Sequence, residues 1–203
     1  MEKNLNELFG IDHSSELEVV QSFERISKEL LNCYSLKIND STFLFTEIEF
    51  YYFYKGVHED ENTHEHEFKS GMWRCNNVGL DITFESILPD VCDGGILIRG
   101  IKQVEPFTEK PFVNGPRRVI NKIFDNLNDV MSLNTGINLF KLPRPLGREI
   151  FRTSRQNVKE ETYKDSKYRY FTEQKEWKSK QWDGKYNFSN DKITDVTSWE
   201  QVK

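Results

Sequence analysis

The sequence predicts a single α+β domain. Two long strand-type runs, residues 41–54 and 92–101, are rich in aromatic and β-branched residues. Two shorter stretches, residues 16–32 and the region after Pro116, carry apolar residues at helical spacing. These elements mix without a regular βαβ rhythm, which favours α+β over a doubly wound fold. A chain of 203 residues is long enough for one well-developed core.

In order, ELEVVQSFERISKELLN predicts a helix with Leu17, Val20, Phe23, Ile26, Leu30 and Leu31 as its stripe. Ser14 or Ser15 is placed to cap it. YSLKIND reads as a strand ending in an Asn39-Asp40 turn. STFLFTEIEFYYFY is a second, longer strand. Strict alternation puts Phe43, Phe45, Glu47, Glu49 and Tyr51 on one face. Glu47 and Glu49 then point the same way, roughly 6–7 Å apart. GMWRCNNVGLDITF suggests a short hairpin, and CDGGILIRGI a turn feeding a buried strand that contains Arg99. In VNGPRRVINKIF, Asn114 or Gly115 would cap a helix whose first residue is Pro116. LPRPLGREI is a basic connection and KYRYFT a further strand. The domain is expected over residues 1–177, with a polar C-terminal extension over 178–203.

The charged residues inside apolar runs carry most of the chemical information. A lone buried carboxylate is strongly disfavoured, so Glu49 must be paired, protonated or hydrated. A Glu49–Arg99 pair on neighbouring strands is equally compatible with a structural ion pair and with an active site. The next loop, HEDENTHEHEF, holds three histidines and five acids in eleven residues. His58, His64 and His66 are ligand types for zinc, but H-x5-H-x-H matches no established zinc spacing, and a solvated acidic loop is the simpler reading. Asn114-Gly115-Pro116-Arg117-Arg118 opens a helix and could hold a phosphate or carry ordinary surface charge.

Composition narrows the classes further. Hydrophobic residues make up 36% and aromatics 13%, which favours a globular chain over a disordered one. No apolar run reaches the length of a membrane span, and MEKNLNELFG lacks the design of a signal peptide. The three cysteines, Cys33, Cys75 and Cys92, are widely spaced and read as reduced thiols, so a cytoplasmic location is expected. No GxGxxG, P-loop, nucleophile elbow or CxxC pair occurs. Net charge is −5, but residues 1–100 hold 8 basic against 19 acidic side chains and residues 101–203 hold 20 against 14. A basic half of this kind is compatible with nucleic-acid binding and with two solvated faces of opposite sign.

Taken in order, several short motifs resemble the alkyladenine (3-methyladenine) DNA glycosylase family. Glu49-Phe50-Tyr51 is similar to its Glu-x-Tyr strand. Residues 59–64 look like its acidic loop ending in histidine, and Gly71-Met72 like its Gly-Met before a strand. Asp93-Gly94-Gly95-Ile96-Leu97-Ile98-Arg99 is similar to its small-residue turn, apolar strand and arginine. Gly115-Pro116 opens a basic helix, and Thr153-Ser154-Arg155 with residues 167–171 looks like its closing segment. The resemblance spans about residues 17–172. It implies a curved, mainly antiparallel sheet flanked by helices. It also implies a monomeric, cofactor-free, monofunctional enzyme that flips a damaged purine nucleotide out of DNA.

By that resemblance, Glu49 is the general base for a water attacking C1′, and Arg99 orients the water or the carboxylate. Tyr51 and His64 would pack against the extruded base, and Glu47 would be a supporting acid. Gly115, Arg117, Arg118, Arg144, Arg148, Arg152 and Arg155 would meet phosphates. Two positions depart from the pattern. Val78 stands where the family has a tyrosine wedge, and Thr83 and Glu85 stand at the candidate places for its base-selecting asparagine. A relative that only binds nucleic acid or protein through its basic half is the main alternative, and a metal-dependent hydrolase on the histidine loop is a third.

Overall fold

The computed structural model describes residues 5–84, 86, 91–127, 136–155, 158, 162–172 and 199–202. A short helix α1 (Leu5–Phe9) precedes α2 (Glu16–Cys33). Ser15 is extended and caps α2, its hydroxyl accepting the Glu18 N–H at 3.3 Å. The buried stripe of α2 is Val19, Phe23, Ile26, Leu30 and Leu31. Leu17, expected in that stripe, is 65% exposed, and Val20 is only partly buried. The buried stripe starts at Val19, two residues after Leu17 and one before Val20.

β1 (Tyr34–Ile38) turns through Asn39, whose φ of 51° is left-handed, into β2 (Ser41–Tyr54). Asparagine tolerates that conformation better than most residues. β2 pairs along most of its length with β6 (Cys92–Glu105), from Thr42 opposite Glu105 to Tyr54 opposite Cys92. The shorter strands are β3 (His58–Glu59), β4 (Trp73–Cys75), β5 (Leu80–Thr83), β7 (Phe112–Asn114), β8 (Ile137–Lys141), β9 (Phe151–Thr153), β10 (Arg169–Phe171) and β11 (Glu200–Gln201). The main path of the open sheet is β11-β9-β10-β2-β6-β5-β4, and β1, β3, β7 and β8 join its sides. Every recorded pairing is antiparallel. The architecture is therefore α+β, with few helices and an antiparallel sheet.

Strict alternation fails along β2 at one place. Phe45 pairs with Ile101 and Glu47 with Gly100, leaving Thr46 as the extra residue of a β-bulge. The inserted residue reverses the facing of everything after it. Phe43 and Phe45 therefore join Ile48, Phe50 and Tyr52 in one core, although the sequence pattern places them on opposite faces. Gly100 makes the bulge possible. A Cβ there would lie 2.6 Å from Thr46 Oγ1 and 3.1 Å from Glu47 Cβ.

Beyond the bulge the two faces of the sheet have different jobs. One face packs against α2, where the Phe23 ring stacks on Phe50 with centroids 4.5 Å apart and meets Tyr168 edge-on. Ile82, Ile96, Ile98 and Tyr170 belong to the same core. The other face carries Glu47, Glu49, Tyr51, Leu97, Asp81 and Arg169. Directly opposite residues share a face, so Arg169, Glu49, Leu97 and Asp81 form one row across β10, β2, β6 and β5.

α3 (Pro116–Phe124) follows β7. Its cap is Gly115 at φ 93°, not the side chain of Asn114, and no side chain caps it. The left-handed region costs glycine little. Val119 and Ile123 anchor this helix in the core. The expected C-terminal extension falls largely outside the described residues. Its last part returns to the sheet, with Glu200 opposite Arg152 and the Val202 N–H bonded to the Ile150 carbonyl at 2.9 Å. Among the described residues no helix is long and apolar enough to cross a membrane.

Candidate functional site

On the polar face of the sheet Glu47 and Glu49 are almost fully buried, at 1% and 0% exposure. Arg99 bridges them. Its Nε donates to Glu47 Oε1 and its Nη1 to Glu49 Oε2, each at 3.2 Å. Arg169 Nε donates to Glu47 Oε1 and lies 4.0 Å from Glu49 Oε1. Two carboxylates thus face two guanidinium groups, so the burial leaves no uncompensated charge. The Tyr51 hydroxyl donates to Glu49 Oε2 at 2.9 Å. Burial and the neighbouring Glu49 push the Tyr51 phenol well above its ordinary range, so it keeps the proton it donates.

A cavity of about 870 Å³ opens beside this cluster. Tyr51 and Arg99 border it, as do His64 and the preceding residues Glu61, Asn62 and Thr63. Its far wall is the β4–β5 hairpin, through Arg74, Asn76, Asn77, Val78 and Asp81. Its remaining rim is the start of α3, Gly115 to Arg118, with Asn114 beneath. Glu49 itself does not border the cavity. It lies one side chain below, held by the two residues that do.

Asn76 organises the hairpin wall. Its Oδ1 accepts the N–H groups of Val78 and Gly79 at 2.8 and 2.9 Å, and its Nδ2 donates to Asp81 Oδ2. Asp81 is 8% exposed, and its other oxygen, Oδ1, has no hydrogen-bond partner. Burial pushes the Asp81 carboxyl up to about 6, against the opposing influences of Arg74 and the Asn76 hydrogen bond. Asn114 is 7% exposed and neither end of its amide is bonded.

Most of the residues singled out from the sequence meet at this cavity: Tyr51, His64, Val78, Arg99, Gly115, Arg117 and Arg118, with Glu49 beneath. Two do not. Thr83 is fully buried and its hydroxyl is used up locally, donating to the Lys69 carbonyl at 2.6 Å and accepting the Met72 N–H at 3.1 Å. It holds the loop before β4 and does not face a ligand. Glu85 lies outside the described residues. Arg155 is no phosphate contact. Its side chain is fully buried, and its Nη1 donates to Asp60 Oδ2 and to the Phe50 carbonyl. Its guanidinium stands 4.7 Å from the centre of the Tyr51 ring and 5.4 Å from that of Tyr168. Arg155 therefore positions Tyr51 from behind.

Two other arginines expected at phosphates are also engaged within the fold. Arg152 pairs with Glu24 and Glu200, and Arg148 Nη2 donates to the Phe45 carbonyl at 3.1 Å. Part of the charge asymmetry of the sequence is answered inside the molecule, where Arg152, Arg155 and Arg169 of the basic half meet Glu24, Asp60 and Glu47 of the acidic half.

The histidine loop does not assemble a metal site. His58 is fully buried. Its Nδ1–H donates to the Tyr52 carbonyl at 2.8 Å, so Nε2 accepts from the Tyr168 hydroxyl at 3.1 Å. His66 Nε2 is bonded to the Gly94 carbonyl at 2.8 Å, and its Nδ1 accepts the Phe68 N–H. Among the described residues no group of three or more His, Cys, Asp or Glu side chains could hold a metal ion.

Sequence reasoning missed Asp81, Arg169, Arg74 and Asn76. The signal for Asp81 was in its strand, Leu80-Asp81-Ile82, where both neighbours are core residues and alternation sends the acid to the opposite face. Arg169 carries the same signal between Tyr168 and Tyr170. No protein-family model matches the chain, and no curated protein matches it significantly.

Proposed function

We propose that this protein is a DNA repair glycosylase that hydrolyses the N-glycosidic bond of an alkylated or deaminated purine. The observation that carries the reading is that both cavity-bordering groups over Glu49, the Tyr51 hydroxyl and the Arg99 guanidinium, are bonded to its Oε2. A base swung out of the duplex would enter the cavity against Tyr51 and His64. Water would add to C1′, its proton passing to Glu49 by way of the Tyr51 hydroxyl, which borders the cavity and is bonded to that carboxylate, while the base leaves with the electrons of the broken C–N bond. Arg99 and Tyr51 would hold the carboxylate in place. Arg117 and Arg118, exposed at the cavity rim, would meet the phosphates. Val78, 38% exposed on the hairpin tip, would be the side chain that enters the gap left in the stack. The resemblance of the ordered motifs to the alkyladenine glycosylase family supports the same assignment.

The full burial of Glu49 favours a second reading, in which the cluster is structural and the cavity only binds. A base-excision assay separates the two. The protein is incubated with duplex and single-stranded oligonucleotides carrying ethenoadenine, hypoxanthine or methylated purine, and abasic sites are cleaved with alkali. The glycosylase reading expects strand cleavage at one of these lesions and a loss of about 10²–10⁴-fold in Glu49→Gln. The binding reading expects salt-dependent DNA binding without cleavage, unchanged by Glu49→Gln.

A further inference from the structure

The proposed chemistry uses Glu49, Arg99 and Tyr51 and leaves the opposite wall of the cavity unexplained. That wall holds Asp81, a nine-tenths buried acid with one carboxylate oxygen bonded to Asn76 and the other, Oδ1, without a partner. A buried unpartnered acceptor is costly to the fold, and a ligand donor is one way to satisfy it. Its place in the sheet is defined. Asp81 stands directly opposite Leu97, and Leu97 directly opposite Glu49, so the acid lies two strands from the proposed base on the same face. Two strand spacings are roughly 10 Å, about the width of a purine with its contacts on either side. The floor between the two acids is apolar, formed by Leu97, with Gly95 beside it.

We propose that Asp81 is a specificity-determining residue of this cavity, its Oδ1 accepting a hydrogen bond from the exocyclic 6-amino group of the bound purine. This rests on the cavity being a purine pocket, as in the proposed function. A carboxylate at this position accepts from an exocyclic amine and repels a carbonyl oxygen. The pocket therefore prefers a purine with an amino group at position 6 over one with an oxygen there. Arg74 on β4, directly opposite in the ladder, and Asn76 in the hairpin turn are the polar groups that face the acid; Asn76 bonds its other oxygen, and Arg74 acts on it through charge alone. The opposing arrangement, an amide in place of the acid, presents either a donor or an acceptor and does not discriminate.

The test is purine binding to the full chain, with free adenine and free hypoxanthine as probes, measured by calorimetry on the wild type, Asp81→Asn and Asp81→Ala. The wild type should bind adenine at least about tenfold more tightly than hypoxanthine, as expected for one hydrogen bond to a charged group. Asp81→Asn and Asp81→Ala should lose that preference. Equal preference in the wild type and in either folded Asp81 variant would overturn the proposal, as would a folded wild type that binds neither purine. Excision assayed beside it separates the two ideas. Glu49-dependent excision with no Asp81-dependent preference removes only the specificity role. Asp81-dependent purine binding with no excision removes only the glycosylase.

Discussion

Tyr51 joins two buried ion clusters that differ in one respect. Behind its ring, Arg155 and Asp60 form a pair with both side chains fully enclosed, and Arg155 spends further donors on the Phe50 and Tyr163 carbonyls. At its hydroxyl, Glu49 meets Arg99, which borders the cavity. The chemistry of the two pairs is the same. The first has no face through which a ligand could reach it, and the second has one. A buried ion pair is weak evidence for either stability or function. Access from a cavity is what separates the two roles, and each role predicts a different response to losing one charge.

The largest expected effect is on the open cluster. Glu49→Gln should lower the excision rate about 10²–10⁴-fold and cost about 1–3 kcal/mol of stability, the ordinary range for a lost charge-assisted hydrogen bond. Asp60→Asn, in the closed cluster, should cost about 3–5 kcal/mol in a denaturant titration, because it strands the Arg155 guanidinium. A loss below about 1 kcal/mol would mean that the Phe50 and Tyr163 carbonyls hold Arg155 without the ion pair.

Asp81 should respond with the opposite sign. Its carboxyl titrates near 6 in the folded chain and near 3.8 otherwise, so the folded state binds the extra proton between those values. The associated stability is present below about pH 4 and is lost as pH rises through 6. Asp81→Asn should therefore be more stable than the wild type at pH 7.5, by up to about 3 kcal/mol, with the gap closing below pH 4. His58 titrates the other way. Burial depresses its pKa, so the neutral ring is favoured in the fold. Its contribution is complete above about 6.5 and falls as pH drops below that value. His58→Gln should flatten the acid limb of the stability curve over that window. The smallest effect is at the rim, where Arg117→Ala should reduce the salt dependence of DNA binding by about one counterion and leave the fold unchanged.

Local pattern made part of this legible in advance. α2, β2, β6 and the start of α3 follow from apolar spacing and from Pro116, because their burial is written in consecutive residues. β8, β9 and β11 do not, since short strands at the sides of the sheet are defined by partners far away in the chain. The bulge at Thr46 belongs to the same class. It depends on Gly100 of the facing strand, and alternation within β2 cannot show it. At the site, Glu49 and Arg99 were visible because charge inside an apolar strand requires an explanation. Arg155 was misread because its partner, Asp60, lies 95 residues earlier, and nothing in the local sequence distinguishes a closed arginine from an exposed one. Asp81 was passed over because the alternation around it looks like an ordinary half-exposed strand.

One paired measurement bears most directly on the contrast between the clusters. Single-turnover excision of the preferred lesion and the denaturation midpoint would be determined for the wild type, Glu49→Gln and Asp60→Asn, with excision read at a temperature where all three are folded. The account predicts that Glu49→Gln loses about 10²-fold or more in rate with the smaller loss of stability, and that Asp60→Asn loses more stability and less rate. Glu49→Gln excising at the wild-type rate would contradict it and return both clusters to a structural role.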